Sequence, residues 1–139
     1  MSERRFEMRL NARYQDPDNS VASLEVDIMG EQGWQPLNLN ALSPGFQIFT
    51  YAVFTCQHLY MRSNCAERGL MLKSAEGSIE LLTDEVWKMT RLHVGFDALL
   101  KTGDPTEADI DYITGRMGQC PVSRNIIAPA DIEAVLTFI

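Results

Sequence analysis

Between Ser43 and Gly69 lies the stretch that most restricts what this chain can become. Proline lacks an N–H and has a fixed φ, so it suits the first position of a helix, and a preceding serine suits the N-cap. Ser43-Pro44 therefore predicts a helix start, and from Phe46 to Arg68 neither proline nor glycine interrupts it. Gly69 is placed to end it in the left-handed conformation. The first half, FQIFTYAVFTC up to Cys56, is apolar nearly all round. Such a helix belongs at the centre of a core or in a subunit interface. Gln47, Thr50, Thr55, Gln57 and His58 make it too polar to span a bilayer.

The flanks have a different period. Phe6, Met8, Leu10, Ala12 and Tyr14 alternate with Glu7, Arg9, Asn11 and Arg13, the pattern of a half-buried strand. Asp16-Pro17-Asp18-Asn19 signals a turn, and Leu24, Val26 and Ile28 alternate again, so a hairpin is expected. A short third strand fits around Trp34 to Leu39, with Pro36 suiting an edge. After the helix, Ile79 and Leu81 mark one strand, and Val86 to about Phe96, apolar on both faces, reads as a central one. Asp104 with Glu107 has the form of a capping box and predicts a second helix that fades near Gly115 to Gly118. Cys120-Pro121 opens a further short helix, and Ile132 to Ile139 is most simply a closing strand, although a helix also fits its propensities. The order describes an α+β chain, residues 1–139 as one domain, with an antiparallel sheet against a long helix.

Charge excludes some functions. A net charge of −7 and a pI near 4.7 argue against nucleic acid or an anionic membrane as the main partner, because both demand a basic patch. Arg4, Arg5, Arg9 and Arg13 form the one basic cluster, and a solvated strand face accounts for it. MSERRFEMRL offers no continuous apolar leader, so a cytoplasmic location is expected. In that reducing setting a paired cysteine cycles more readily than it staples.

There are three cysteines. Cys120, before Pro121, is a candidate N-cap whose thiol would face unpaired N–H groups; the alternative is a buried, inert thiol. Cys56 lies on the helix stripe Phe49, Val53, Cys56, Tyr60, where burial alone would raise its pKa. Cys65 sits on the same helix, about half a turn round from Cys56 and roughly 13 Å along, too far for a disulfide with it. The separation of Cys56 and Cys120 does not itself bring them together; if any two cysteines form a redox pair, it is these.

Cys120-Pro121-Val122-Ser123 resembles the second-cysteine motif of the OsmC/Ohr family, the osmotically inducible and organic hydroperoxide resistance proteins. Pro44, the apolar helix reaching Cys56, and Ala66-Glu67-Arg68-Gly69 leading into a strand resemble that family's first-cysteine helix. The resemblance covers nearly the whole chain. It implies a two-layer fold, an intertwined homodimer with the site at the interface, and a hydroperoxide reductase in oxidative or osmotic stress defence. Cys56 would be peroxidatic and Cys120 resolving, with an external dithiol such as a lipoyl protein as reductant and no further cofactor. The family's thiolate-holding arginine would fall near Arg13, with Arg9 as the fallback. Its partner glutamate would fall at Gly45 or Phe46, where this chain has no carboxylate.

Other residues have plainer readings. His58 lies two positions from Cys56 and so points to another side of the helix, and no closely spaced ligand cluster suggests a metal. Arg124 suits a surface role, and Tyr51, Phe54, Trp87 and Met89 could line a lipophilic pocket or simply form core. Two rival functions follow: an OsmC-like dimer that binds an apolar molecule with little turnover, and a stress protein whose cysteines are only packed.

Overall fold

A computed structural model describes residues 3–125 of the chain. The first two strands, β1 (Arg4–Gln15) and β2 (Ser20–Gly30), form the expected hairpin, followed by the short β3 (Gly33–Pro36). The long helix α1 (Gly45–Glu67) leads to β4 (Met71–Thr83) and β5 (Met89–Thr102), then to α2 (Glu107–Met117) and α3 (Pro121–Arg124). The strands make one antiparallel sheet in the order β3-β2-β1-β4-β5. The predicted closing strand at 132–139 lies outside the described residues.

Strand alternation determines which face α1 covers. Met8, Leu10, Ala12 and Tyr14 of β1 are buried while Arg9, Asn11 and Arg13 between them are exposed. The buried row packs with Leu72, Ala75 and Ile79 of β4 and with Val53, Phe54 and Met61 of α1 in one core. Gly77 has Phe96 as its cross-strand partner. A Cβ there would lie 2.7 Å from the Phe96 ring, so only glycine lets that ring settle over the strand. Phe96 in turn stacks on Phe54 and His58 of α1, at centroid distances of 5.9 and 5.7 Å.

Several expectations hold and several shift. α1 ends as predicted: Gly69 is left-handed at φ 74, Gly69 N–H donates to Ala66 O, and Leu70 N–H donates to Cys65 O, the two bonds of a Schellman motif. At its start, Pro44 rather than Ser43 is the N-cap, because the Ser43 hydroxyl accepts from Asn40 N–H and closes the preceding turn. Helix α2 is capped by Thr106 and Asp109, not by Asp104 and Glu107. Asp109 N–H donates to Thr106 Oγ1 at 3.1 Å and Thr106 N–H donates to Asp109 Oδ2 at 3.0 Å. The strand expected over Val86 to Phe96 is displaced: β5 begins at Met89, continues to Thr102 and lies at the sheet edge rather than its centre. Asp84 Oδ1 accepts from the N–H groups of Val86 and Lys88, and Trp87 is left-handed at φ 67, so the first part of that run is a turn.

A buried asparagine ties the two halves together. Asn19, in the β1–β2 turn at φ 59, donates to the carbonyls of Arg62 and Leu70 and accepts from Leu72 N–H. Asparagine tolerates the left-handed region, and its amide here ties the β1–β2 turn to the C-terminal part of α1 and to the start of β4.

Candidate redox site

Cys56, half-buried at the midpoint of α1, is joined by a disulfide to Cys120, whose side chain is fully buried. Their Cα atoms stand 6.3 Å apart. Cys120 occupies the N-cap of α3 with Pro121 behind it, as the sequence indicated. Its sulfur makes no cap hydrogen bond and goes instead to Cys56.

The second cysteine is delivered by α2. That helix is anchored on the C-terminal half of α1: Arg68 Nε donates to Asp109 Oδ1 at 2.9 Å, Tyr112 OH to Glu67 Oε1 at 3.0 Å, and Arg116 Nε to Asn64 Oδ1 at 3.3 Å. The Arg68 guanidinium and the cap at Thr106 both hold the Asp109 carboxyl below its usual range, the cap acting most strongly. Ile113 buries the inner face of α2 in the core. Beyond Met117 the chain turns, with Cys120 N–H donating to Met117 O, and α3 begins. Here Gln57, next to Cys56 in sequence and buried itself, donates from Nε2 to Met117 O at 2.9 Å and to Ser123 Oγ at 2.8 Å.

Cys65 stands apart, as its helical position predicted. It is buried beside Met61, with the two sulfurs 4.0 Å apart, and burial pushes its thiol up to about 11. A thiol so rarely ionised at neutral pH is a poor nucleophile. His58 also faces away from the disulfide: it is buried under the sheet, 2.7 Å from Tyr14 OH. Burial, assisted by Arg62, lowers its pKa to about 4.

The structure places both candidate arginines on the outer face of the sheet. Arg13 sits between Ala12 and Tyr14, both buried against α1, so within the protomer its exposed side chain leaves from the opposite face of the sheet. Arg9 leaves from that outer face too, paired with Asp27 at 3.0 Å and lying over the Trp34 ring. The helix side of the sheet carries a cation that the sequence did not single out. Arg116 has its guanidinium over the ring of Tyr60, one turn beyond Cys56, and Nη1 donating to Gln119, the neighbour of Cys120. Its signal in the sequence was its place in the last turn before Cys120. Arg124 is exposed on α3.

Where the resemblance placed a glutamate, an aromatic stack stands. Phe46 clusters with Phe6 and Trp87, 5.6 Å from each ring centroid while those two rings stand 6.4 Å apart, and Phe49 is edge-on at 5.8 Å. Arg4 covers Trp87 at 3.9 Å. A carboxylate in this stack would be desolvated among aromatic rings. Of the hollows that border the sheet among the described residues, two differ sharply in character. One of about 630 Å³ is a dip in the polar outer face around Arg9, Asn11, Glu76 and Asp97, on the far side of the sheet from α1. The other, about 310 Å³, is an apolar groove lined by Leu24, Val26, Leu37, Leu39 and Tyr51, beside α1.

A two-layer α+β fold whose central helix bears a cysteine bonded to a Cys-Pro turn defines a thiol–disulfide protein built on a long helix. Its architecture is the OsmC-like fold. It matches the crystal structure of an OsmC-like hydroperoxide resistance protein from Jannaschia sp. CCS1 with a TM-score of 0.62, covering 96% of this chain and 94% of that one, at 14% sequence identity. No protein-family model matches the chain, and no curated protein matches it. Among the described residues, no helix is long and apolar enough to cross a membrane.

Proposed function

We propose that the chain is a thiol-dependent hydroperoxide reductase that cycles through the Cys56–Cys120 disulfide. The observation that carries this reading is the disulfide itself, which links a half-buried thiol on a rigid helix to a fully buried one on a separate short segment. The similar fold of a protein described as a hydroperoxide resistance protein supports the substrate class. In the first step the Cys56 thiolate attacks the O–O bond. The distal oxygen becomes a sulfenic acid on Cys56, and the remaining alkoxide takes a proton and leaves as the alcohol. The Cys120 thiol then attacks that sulfur, forming the disulfide and releasing water. An external dithiol reduces the disulfide and is itself oxidised to a disulfide.

Each residue has a defined part. Cys56 is the nucleophile and Cys120 the resolving thiol, and Cys65 stays outside the cycle because its thiol is buried and raised. Arg116, on the helix side of the sheet, is the cation that favours the Cys56 thiolate once the disulfide opens. The protein works as a homodimer. Ile48 and Leu59, 41% and 45% exposed on the free side of α1, and the apolar groove beside Tyr51 are surfaces that a second copy would cover.

Purified reduced protein given cumene hydroperoxide and a dithiol should consume peroxide, with the rate falling at least a hundredfold in Cys56→Ser. The Phe46 stack favours one alternative, an apolar-ligand binder with little turnover. That alternative predicts saturable binding of an apolar fluorophore, with peroxide consumption equal in the wild type and Cys56→Ser.

A further inference from the structure

Once the disulfide is reduced, Cys120 must stay close enough to Cys56 to close the next cycle. The described contacts divide this task unevenly. Helix α2 is held to α1 by Arg68–Asp109, Tyr112–Glu67 and Arg116–Asn64, none of which involves a cysteine, so α2 stays docked in either redox state. The segment after it, which carries Cys120, has a different attachment. Among the described residues, the polar side-chain links between α1 and residues 117–125 all belong to Gln57. Val122 adds a partly buried apolar contact. When the sulfur–sulfur bond opens, the Gln57 bonds, the Val122 contact and the packing of the buried Cys120 side chain are, among the described residues, the main ties left on this four-residue helix.

We propose that Gln57 is the positioning residue that keeps the Cys120 segment docked in the dithiol state, and that it thereby sets the effective concentration of Cys120 at Cys56. This rests on the redox-cycle reading of the same site. The chemistry of the amide suits the task. A primary amide nitrogen carries two N–H donors, and here both are used: one goes to Met117 O, which also accepts from Cys120 N–H, and the other to Ser123 Oγ, three residues past Cys120. The two acceptors therefore bracket the cysteine. Gln57 itself is 8% exposed and held on a long helix, so its side chain loses little freedom when it bonds. Intramolecular disulfide formation is favoured in proportion to the fraction of molecules with the second thiol docked, as for any tethered pair. Two buried hydrogen bonds are worth about a factor of ten in that fraction.

The test reads the thiol–disulfide equilibrium and uses no peroxide. The full-length protein is equilibrated in reduced and oxidised glutathione buffers, acid-quenched, alkylated and weighed by mass spectrometry. Gln57→Leu keeps the volume and removes both donors, and its disulfide-to-dithiol ratio should fall about tenfold, which is about 30 mV toward easier reduction. Ser123→Ala removes one acceptor and should lower the ratio about threefold. Adding Ser123→Ala to Gln57→Leu should change nothing more, because the shared bond is already gone. A loss of fold stability common to both redox forms leaves the ratio unmoved, so a merely structural role is distinguished. Equal ratios for wild type and Gln57→Leu would overturn the proposal. If Gln57→Leu does not fold, an unchanged ratio in Ser123→Ala overturns it alone. A protein with no peroxide turnover would still show the shift, so failure of the reductase reading and failure of this one are separate results.

Discussion

At the scale of single residues, the site depends on which side of α1 and which face of the sheet each side chain takes. His58 shows the cost of a polar group turned inward. Its pKa, lowered from 6.5 to about 4 by burial, means the unfolded chain binds a proton that the folded chain refuses between those values. Stability from this group is therefore complete above pH 6.5 and lost as pH falls toward 4, by about 3 kcal/mol across that window. Urea midpoints at pH 7 and pH 4.5 should show the fall, and His58→Gln should flatten it. For the thiolate, Arg116→Met should slow alkylation of reduced Cys56 at pH 7 about threefold by removing the cation proposed to favour it, whereas Arg13→Ala should leave it within the error of the measurement. The direction of His58 was legible, because two positions on a helix carry a side chain away from its neighbour. The placement of Arg13 was legible too, in the alternation that puts Ala12 and Tyr14 on the apolar row of the same strand. Within the protomer the structure keeps Arg13 on the polar face that this alternation gives it. Arg116 was harder to see, since nothing in the sequence tells which helix face meets Tyr60.

At the scale of elements, local signals specified type and order well and neighbours poorly. The proline start and glycine stop of α1, the β1–β2 hairpin and the short helix after Cys120 all follow from backbone chemistry within a few residues. Capping at α2 was ambiguous because two overlapping patterns, Asp104 with Glu107 and Thr106 with Asp109, both fit a reciprocal cap. Thermal or urea denaturation separates them: Thr106→Ala should cost about 1 kcal/mol and Asp104→Ala close to nothing. The sheet position of β5 was beyond local reading. Leu92, Val94 and Phe96 pack inward wherever their strand sits, so apolar content could not distinguish an edge from a centre. Cross-strand packing at that edge is nonetheless tight. Gly77→Val should destabilise the fold by about 1–3 kcal/mol, because the added carbons meet the Phe96 ring, and the same denaturation curves measure it.

Across the whole molecule, the fold brings two thiols 64 residues apart into one bond by laying α2 along the second half of α1 and turning the chain back at Gly118. No spacing rule contains that path, because it depends on ion pairs and packing between segments distant in sequence. The CPVS motif pointed to the right architecture through resemblance, while the meeting of the sulfurs needed the three-dimensional structure. The homodimer proposed above predicts a dimer mass in sedimentation equilibrium, and Leu59→Asp together with Ile48→Asp should shift it toward monomer, since both side chains lie exposed on α1. The most direct test of the redox reading is a single turnover. Reduced protein is mixed with one equivalent of cumene hydroperoxide, quenched, and weighed with its cysteines mapped. The wild type should close the Cys56–Cys120 disulfide and release one cumyl alcohol for each, and Cys120→Ser should hold one added oxygen on Cys56. Peroxide left intact, or oxygen found on methionine or Cys65 while Cys56 stays a thiol, would contradict it.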